Sequence, residues 1–163
     1  MAHETSSIID LGAHDKRNLP RVITFLHSQD IRGHNIFTEA SGAVKDNHPF
    51  FGKLSIFLVK QKAIEIHEPD YEKNMRRATK LYEDTLSPVL KAIRDSAFGL
   101  PPWVVISEFD RLNQTICQVR DPVIAKQITD NRPIYSIFGS GHIPGVLAIL
   151  REQSVVKIEV LTL

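Results

Sequence analysis

The sequence has very little cysteine and almost no excess of charge. Its 163 residues include one cysteine, Cys117, which excludes an intrachain disulfide and a cysteine-based metal cluster. The 20 basic and 19 acidic side chains give a formal net charge of +1, whereas a dedicated nucleic-acid-binding protein needs an excess of Lys and Arg. No apolar run reaches the roughly 18 residues of a membrane helix, and the first residues lack the basic-then-apolar pattern of a signal peptide. These absences predict a soluble protein made in a reducing cytoplasm.

Motifs that carry catalytic or metal chemistry are also missing. The seven histidines form no H-x-H or H-E-x-x-H pattern, although His27, His34 and His48 surround a polar segment and are the first candidates for a metal. Ser140 and His142 lie in a glycine-rich segment that is not a G-x-S-x-G elbow, and closeness in sequence does not make a catalytic dyad. We interpret that segment as a turn. The sequence therefore predicts no catalysis, no metal and no cofactor.

The pattern of apolar residues predicts an arm followed by one domain. Residues 1–18 are mostly polar and predict a flexible N-terminal arm, which leaves residues 19–163 as a single domain. The segment 31–49 is polar and rich in turn-forming residues, which indicates a long loop of the kind that usually carries function. Alternating apolar and β-branched residues predict strands over residues 19–26, 50–68, 103–109, 115–119, 134–138 and 155–163.

One long amphipathic helix is the clearest predicted element. Apolar side chains recur every three or four positions over residues 69–98, with charged residues on the remaining faces. Pro88 lies inside this pattern and should kink or split the helix, because proline removes a hydrogen bond and clashes with the preceding turn. The predicted fold class is α+β, with a mostly antiparallel twisted sheet packed against one long, proline-kinked amphipathic helix.

The order of these elements resembles the tail-terminator, or tail-completion, proteins of long-tailed bacteriophages. The resemblance rests on the strings at residues 18–26 and 52–59, the proline-containing helix string at 86–93, and the closing strand at 155–163. The family also has a long polar loop between its first two strands. It usually starts with an amphipathic helix, which the first 18 residues do not predict, and it has a shorter stretch before the final strand.

The resemblance implies a structural protein of the virion, assembled in the cytoplasm of the host bacterium. Such a protein forms a ring with itself, commonly a hexamer, which caps the tail tube, joins it to the neck and connector proteins, and surrounds a lumen that DNA can contact passively. A cyclic ring needs two different complementary surfaces on each subunit, and open strand edges and loops are suited to this. The hypothesis places one subunit or tube contact on the polar loop, at Arg32, His34, Asn35, Lys45 and Asp46.

Two alternatives remain open at this point. The first is a small-ligand-binding or regulatory domain with a ferredoxin-like sheet, in which the long loop closes over a ligand. The second is an enzyme that uses His27, His34 or His48, with a metal. Native mass spectrometry separates the three hypotheses, because only the ring protein predicts a discrete oligomer without bound metal or ligand.

Overall fold

The structure, a computed structural model, describes residues 5–12, 17–39, 49–86, 88–95, 102–153 and 157–163. The chain falls into two compact units, whereas the sequence predicts one domain after residue 18. The first unit consists of Met1–Tyr71 and Asp121–Leu163, and the second consists of Glu72–Arg120. All five strands of the described residues belong to the first unit.

These strands form one parallel sheet. They are β1 (Ser6–Asp10), β2 (Asn35–Thr38), β3 (Ile64–His67), β4 (Tyr135–Phe138) and β5 (Ile158–Thr162). The order across the sheet is β3-β2-β4-β1-β5, and every neighbouring pair is parallel. The prediction of a mostly antiparallel sheet is therefore wrong. At least one helix lies between each pair of consecutive strands, and a helical crossover returns the chain to the edge at which the previous strand began.

Six α-helices occur within the described residues. They are α1 (Leu19–Ser28), α2 (Pro49–Lys60), α3 (Tyr71–Thr85), α4 (Pro88–Arg94), α5 (Pro102–Asn131) and α6 (Ile143–Gln153). Within the described part of the chain, no helix combines the length and the hydropathy needed to span a bilayer.

The segment predicted as the first strand is helix α1. Its buried residues Leu19, Val22 and Leu26 are spaced by three and four positions, which is the period of a helix and not of a strand. Pro20 lies in the first turn, where its missing N–H leaves no hydrogen bond unmade. The β-branched residues favoured a strand, but the buried stripe that packs on the sheet determines the structure.

Helix α2 likewise replaces the first half of the strand predicted over residues 50–68. Phe51, Leu54 and Leu58 are buried at helical spacing, while Ile56 and Val59 are exposed. The same five residues also fit a strand pattern, because an apolar run satisfies both periods. The second half of the prediction is confirmed, since β3 occupies residues 64–67.

The long helix predicted over residues 69–98 is divided at its proline. Helix α3 ends at Thr85 and α4 begins at Pro88, because the proline ring clashes with the carbonyl of the preceding turn. The strands predicted over 103–109 and 115–119 are wrong, since both segments belong to α5. Within the second unit, the Tyr82 hydroxyl donates a hydrogen bond of 2.7 Å to Glu108 Oε2.

Strand β1 lies inside the sheet, between β4 and β5. The prediction of a flexible arm over residues 1–18 is therefore wrong for residues 6–10. The strand has two aliphatic residues, Ile8 and Ile9, and both are fully buried. Their side chains pack on opposite faces of the sheet, so each face receives one of them. The hydroxyls of the buried Ser6 and Ser7 donate to the Pro133 carbonyl and to Glu159 Oε1, at 2.6 and 2.7 Å.

Each face of the sheet carries its own hydrophobic core. On one face, Ile9, Ile36 and Ile137 pack with residues of α1 and α2. On the other face, Ile8 and Phe37 pack with residues of α5 and α6. Right-handed crossovers that run in opposite directions across a sheet lie on opposite faces, as they do for α1 after β1 and α6 after β4. The carboxyl ends of β2 and β4, two neighbouring strands from which the chain leaves toward opposite edges of the sheet, therefore form a topological switch point.

One buried hydroxyl gives a test of this packing. Ser136 lies in the middle of β4, is fully buried, and its Oγ has no hydrogen-bond partner among the described residues. Because an unsatisfied buried polar group is unfavourable, Ser136→Ala is expected to raise the free energy of unfolding by about 1 kcal/mol, measured by urea denaturation. Ser55→Ala is the matched control and should lower it, because the Ser55 hydroxyl contacts Phe51 O and Glu65 Oε1. Equal losses in the two variants would contradict the packing around β4.

Candidate functional site

Three buried ionisable residues of the first unit meet at the carboxyl ends of the strands. Glu39 directly follows β2, His142 ends the 3-10 turn after β4, and Asp121 comes from α5. Their side chains are 6%, 9% and 10% exposed, respectively. We call these three residues the carboxyl-edge cluster. Ionisable side chains are seldom this buried unless they are paired, so the contacts within the cluster determine its chemistry.

Asp121 holds one nitrogen of the His142 ring. The distance between His142 Nδ1 and Asp121 Oδ1 is 2.6 Å, which is short for a bond between nitrogen and oxygen and typical of a charge-assisted hydrogen bond. An ionised carboxylate can only accept, so the ring donates through Nδ1–H. The ring orientation is thereby fixed through Nδ1.

Nε2 faces the second carboxylate of the cluster. It lies 3.9 Å from Glu39 Oε2, while Glu39 Oε1 accepts a hydrogen bond of 3.0 Å from the Gly139 N–H. Glu39 is thus anchored by one oxygen and turns the other toward the ring. A unit positive charge on the ring would be stabilised by about 4 kcal/mol at this distance, with an effective dielectric constant of about 20. The arrangement can therefore stabilise a positive charge that develops at Nε2, on a proton taken up there or on a metal ion.

The turn after β4 connects the cluster to β1. The Ser140 hydroxyl donates a hydrogen bond of 2.5 Å to the Gly12 carbonyl, and His142 N–H donates to the Gly139 carbonyl at 3.0 Å. Gly12 has a φ of +69°, a conformation that favours glycine. The interpretation of this segment as a turn is confirmed for residues 140–142, and the hydroxyl of Ser140 joins the ends of two strands.

A divalent metal ion would be held by the two groups that face each other. Bonds of about 2.1 Å from a tetrahedral metal to nitrogen and oxygen place those two atoms about 3.4 Å apart, so His142 Nε2 and Glu39 Oε2 would need to approach by about 0.5 Å from their observed 3.9 Å. The bond from Nδ1 to Asp121 matches the second hydrogen bond that metal-bound histidines usually make. The donor set suits a metal that accepts nitrogen and oxygen ligands, such as zinc or manganese.

The residues that the sequence predicted as an interface lie elsewhere. Arg32 and His34 are exposed on the turn before β2, and Asn35 begins that strand, with its Nδ2 donating to Asn131 O at 2.9 Å. They lie at the amino end of β2, opposite the cluster. Lys45 and Asp46 fall outside the described residues. The polar segment 31–49 is not one loop, because β2 occupies residues 35–38.

The histidines proposed as metal ligands are not brought together within the described residues. His27 is exposed near the end of α1, with its ring centroid 6.4 Å from that of Phe57. His34 precedes β2, and His48 lies outside the described residues. The predicted metal alternative on His27, His34 and His48 therefore stays a prediction, and His142 was interpreted only as part of a turn.

A groove of about 520 Å³ lies at the amino ends of the strands. His34 and Asn35 line it together with Asp130 and Arg132. Asp130 makes an ion pair with Lys126, and the Asn35 amide is engaged by the main chain of Asn131. The groove is polar and open, but its described side chains include no buried acid–base pair comparable to the cluster.

One tyrosine of the core has a shifted pKa. Burial raises the pKa of the Tyr135 hydroxyl above its usual 10.0, and the negative charge of Glu159 raises it further. The hydroxyl also contacts Gln29 Oε1 at 3.2 Å. Tyr135 belongs to the core on the α1 face and stays neutral at physiological pH.

Comparison of the chain with known protein families, with curated proteins and with solved structures finds no match. The geometry of the carboxyl-edge cluster is therefore the basis on which a function can be proposed.

Proposed function

We propose that the protein is an enzyme that activates water at the carboxyl-edge cluster, with His142 as its acid–base group. The observation that carries this proposal is the buried imidazole between two carboxylates, with Nδ1 on Asp121 and Nε2 facing Glu39. The cluster lies next to the switch point of a parallel sheet, where proteins of this architecture usually bind their ligands. Clusters of buried ionisable groups in such positions are candidates for catalysis.

The contacts assign a role to each residue in a hydrolytic step. Nε2 of His142 takes a proton from a water molecule, whose oxygen forms the new bond to the electrophilic centre of the substrate. The ring then carries a positive charge, which Asp121 and Glu39 stabilise on its two sides. Nε2 returns the proton to the leaving group as the scissile bond breaks, so the enzyme ends in its initial state. Asp121 keeps the ring in the required orientation throughout.

Stability alone does not explain the cluster. Burying charged groups is costly, and apolar residues of similar size often stabilise a protein as well as or better than a buried ion pair. A cluster of three such groups at the carboxyl edge is therefore better explained by catalysis than by packing. The same reasoning implies that its residues can be changed to neutral side chains of similar shape without loss of the fold.

A metal-dependent form of the same hydrolysis is the second candidate. Two observations favour it: Nε2 of the ring faces a carboxylate oxygen at 3.9 Å, and Nδ1 is held by a second carboxylate. A divalent ion at that position would lower the pKa of a bound water and so supply the nucleophile. His142 and Glu39 would be its ligands, and Asp121 would orient the histidine.

The test is a hydrolysis screen with and without metal. Wild-type protein and the His142→Gln variant are assayed on chromogenic carboxylic esters, phosphate esters and peptide anilides, each with EDTA or with added zinc, manganese or magnesium. His34→Gln is the matched control, because His34 is exposed at the other end of the sheet. Activity that resists EDTA and disappears in His142→Gln supports proton transfer by the histidine alone. Activity that needs metal, with metal content lost in both His142→Gln and Glu39→Gln, supports the metal form. Equal activity of wild type and His142→Gln would contradict both.

The tail-completion hypothesis stays a prediction. The strings at residues 18–26 and 52–59 carried the resemblance as strands, but they fall largely within helices α1 and α2, so that part of its support is lost. It still predicts a discrete ring in native mass spectra, and a predominantly monomeric protein at micromolar concentration would contradict it. The ligand-binding alternative predicts saturable binding of a small molecule with a rise in melting temperature.

A further inference from the structure

Helix α6 comes unusually close to the Asp121 carboxylate at Gly145. A Cβ atom added to Gly145 would overlap with Asp121 Oδ2 and would lie 2.9 Å from Asp121 Cγ. Real Cβ atoms do not approach side-chain atoms so closely, so any other residue at position 145 would push the carboxylate away. Gly145 has no positive φ. Glycine is therefore required at this position because a side chain would not fit, and not because of a special backbone conformation.

The two oxygens of this carboxylate have different neighbours. Oδ1 accepts the hydrogen bond from His142 Nδ1 at 2.6 Å, and Oδ2 occupies the space over the Cα of Gly145. The carboxylate is thus enclosed between the imidazole and the first turn of α6. Because His142 and Gly145 are three residues apart, one short segment supplies both the ring and the surface against which its partner rests.

A glycine at this position is unfavourable for the helix itself. Gly145 is the third residue of α6, and glycine is a poorer helix former than alanine because it loses more backbone freedom on folding. Gly141, in the preceding turn, provides the contrast. A Cβ at Gly141 would meet nothing within 4 Å, so space is not restricted there.

We infer that Gly145 is a positioning residue for His142. Its missing side chain admits the Asp121 carboxylate to the place from which Oδ1 fixes the ring through Nδ1–H and leaves Nε2 facing Glu39. Gly145 acts through Asp121 and does not touch the reacting atoms. The expected effect of Gly145 on turnover rests on the proposed function. Its expected effect on the orientation of the His142 ring does not.

The test is a double-mutant cycle between positions 121 and 145. In the otherwise unchanged protein, Gly145→Ala is expected to lower the urea midpoint of unfolding and to remove the Nδ1–H signature of His142 from the ¹⁵N-edited NMR spectrum of the imidazole. In an Asp121→Ala background, the same change is expected to leave the urea midpoint of unfolding unchanged or to raise it. The remaining Asp121 Cβ would then be 3.5 Å from the new methyl group, an ordinary contact distance. Gly141→Ala is the matched control and should leave the ring signature unchanged.

The outcomes separate the inference from the proposed function. If Gly145→Ala removes the ring signature and lowers turnover roughly 10–100-fold, both are supported. If the signature changes while turnover does not, Gly145 positions the ring and the proposed catalysis is wrong. An unchanged signature, or the same destabilisation with and without the Asp121 carboxylate, overturns the inference. If Gly145→Ala alone does not fold, the double variant is still expected to fold, and its failure would also overturn the inference.

Discussion

Replacing His142 by glutamine is expected to lower the rate of the proposed hydrolysis by about 100- to 10,000-fold, the usual contribution of a positioned acid–base group. Glutamine is similar in size and can still bond to Asp121, but it cannot take up a proton. The fall should therefore appear in kcat and not only in KM, because the lost interaction belongs to the transition state. The measurement is steady-state kinetics on whichever substrate class the screen identifies.

Glu39 and Asp121 extend this prediction to the rest of the cluster. Glu39→Gln removes the negative charge 3.9 Å from Nε2, and Asp121→Asn removes the charge bonded to Nδ1. Both are expected to reduce turnover without preventing folding. The control His34→Gln should retain full activity, since that side chain lies at the opposite end of β2. A variant at position 142 that folds and keeps more than about half of the activity would contradict the role of the histidine, since such a group supplies factors of a hundred or more.

Replacing Phe37 by alanine is expected to lower the free energy of unfolding by about 3–5 kcal/mol. Phe37 is fully buried on β2, and its ring meets that of Phe138 edge to face at a centroid distance of 6.3 Å. It also belongs to the core formed with α5 and α6. Typical proteins are stable by about 5–15 kcal/mol, so the variant should lose a large part of its stability, measured by urea denaturation followed by circular dichroism.

This variant also distinguishes the parallel sheet from the fold predicted by the sequence. In that prediction Phe37 lies in a long polar loop, where its loss would have little effect. Ile56→Ala is a suitable control, because Ile56 is a large apolar residue that is 59% exposed on α2 and should change stability by no more than about 0.5 kcal/mol. Similar small effects for the two variants would contradict the position of β2 in the sheet.

The sequence predicted the elements whose pattern is unambiguous. The strands β4 and β5 and the helical region interrupted at Pro88 lie where their apolar patterns place them. Helices α1 and α2 were predicted as strands, because short apolar runs rich in β-branched residues fit both periods. Taking these helices for strands shortened the apparent connections, and short connections favour antiparallel pairing. The error in sheet type therefore followed from taking α1, α2 and part of α5 for strands and from missing β1 and β2.

The carboxyl-edge cluster could not be predicted from local patterns. Its contacts join residues that are far apart in sequence: His142 and Asp121 are separated by 21 positions, and Gly139 and Glu39 by 100. No motif spacing connects them, because the parallel topology brings the ends of β2 and β4 together. The available indications were a glycine-rich turn after a strand and an acidic residue directly after an apolar stretch. Neither is specific without the strand order.

The position of β1 has a consequence for how the chain acquires its structure during synthesis. Both neighbours of this strand come much later in the chain, since Ser6 bonds to Pro133 across 127 positions and Ser7 to Glu159 across 152. While the chain is still attached to the ribosome, this interior strand therefore has no partner to pair with until β4 and β5 have been synthesised. Such distant pairing slows folding, because a large loop must close before any contact forms. We expect the complete sheet to assemble only after translation has passed residue 158. Until then, the unpaired residues of β1 are accessible to chaperones.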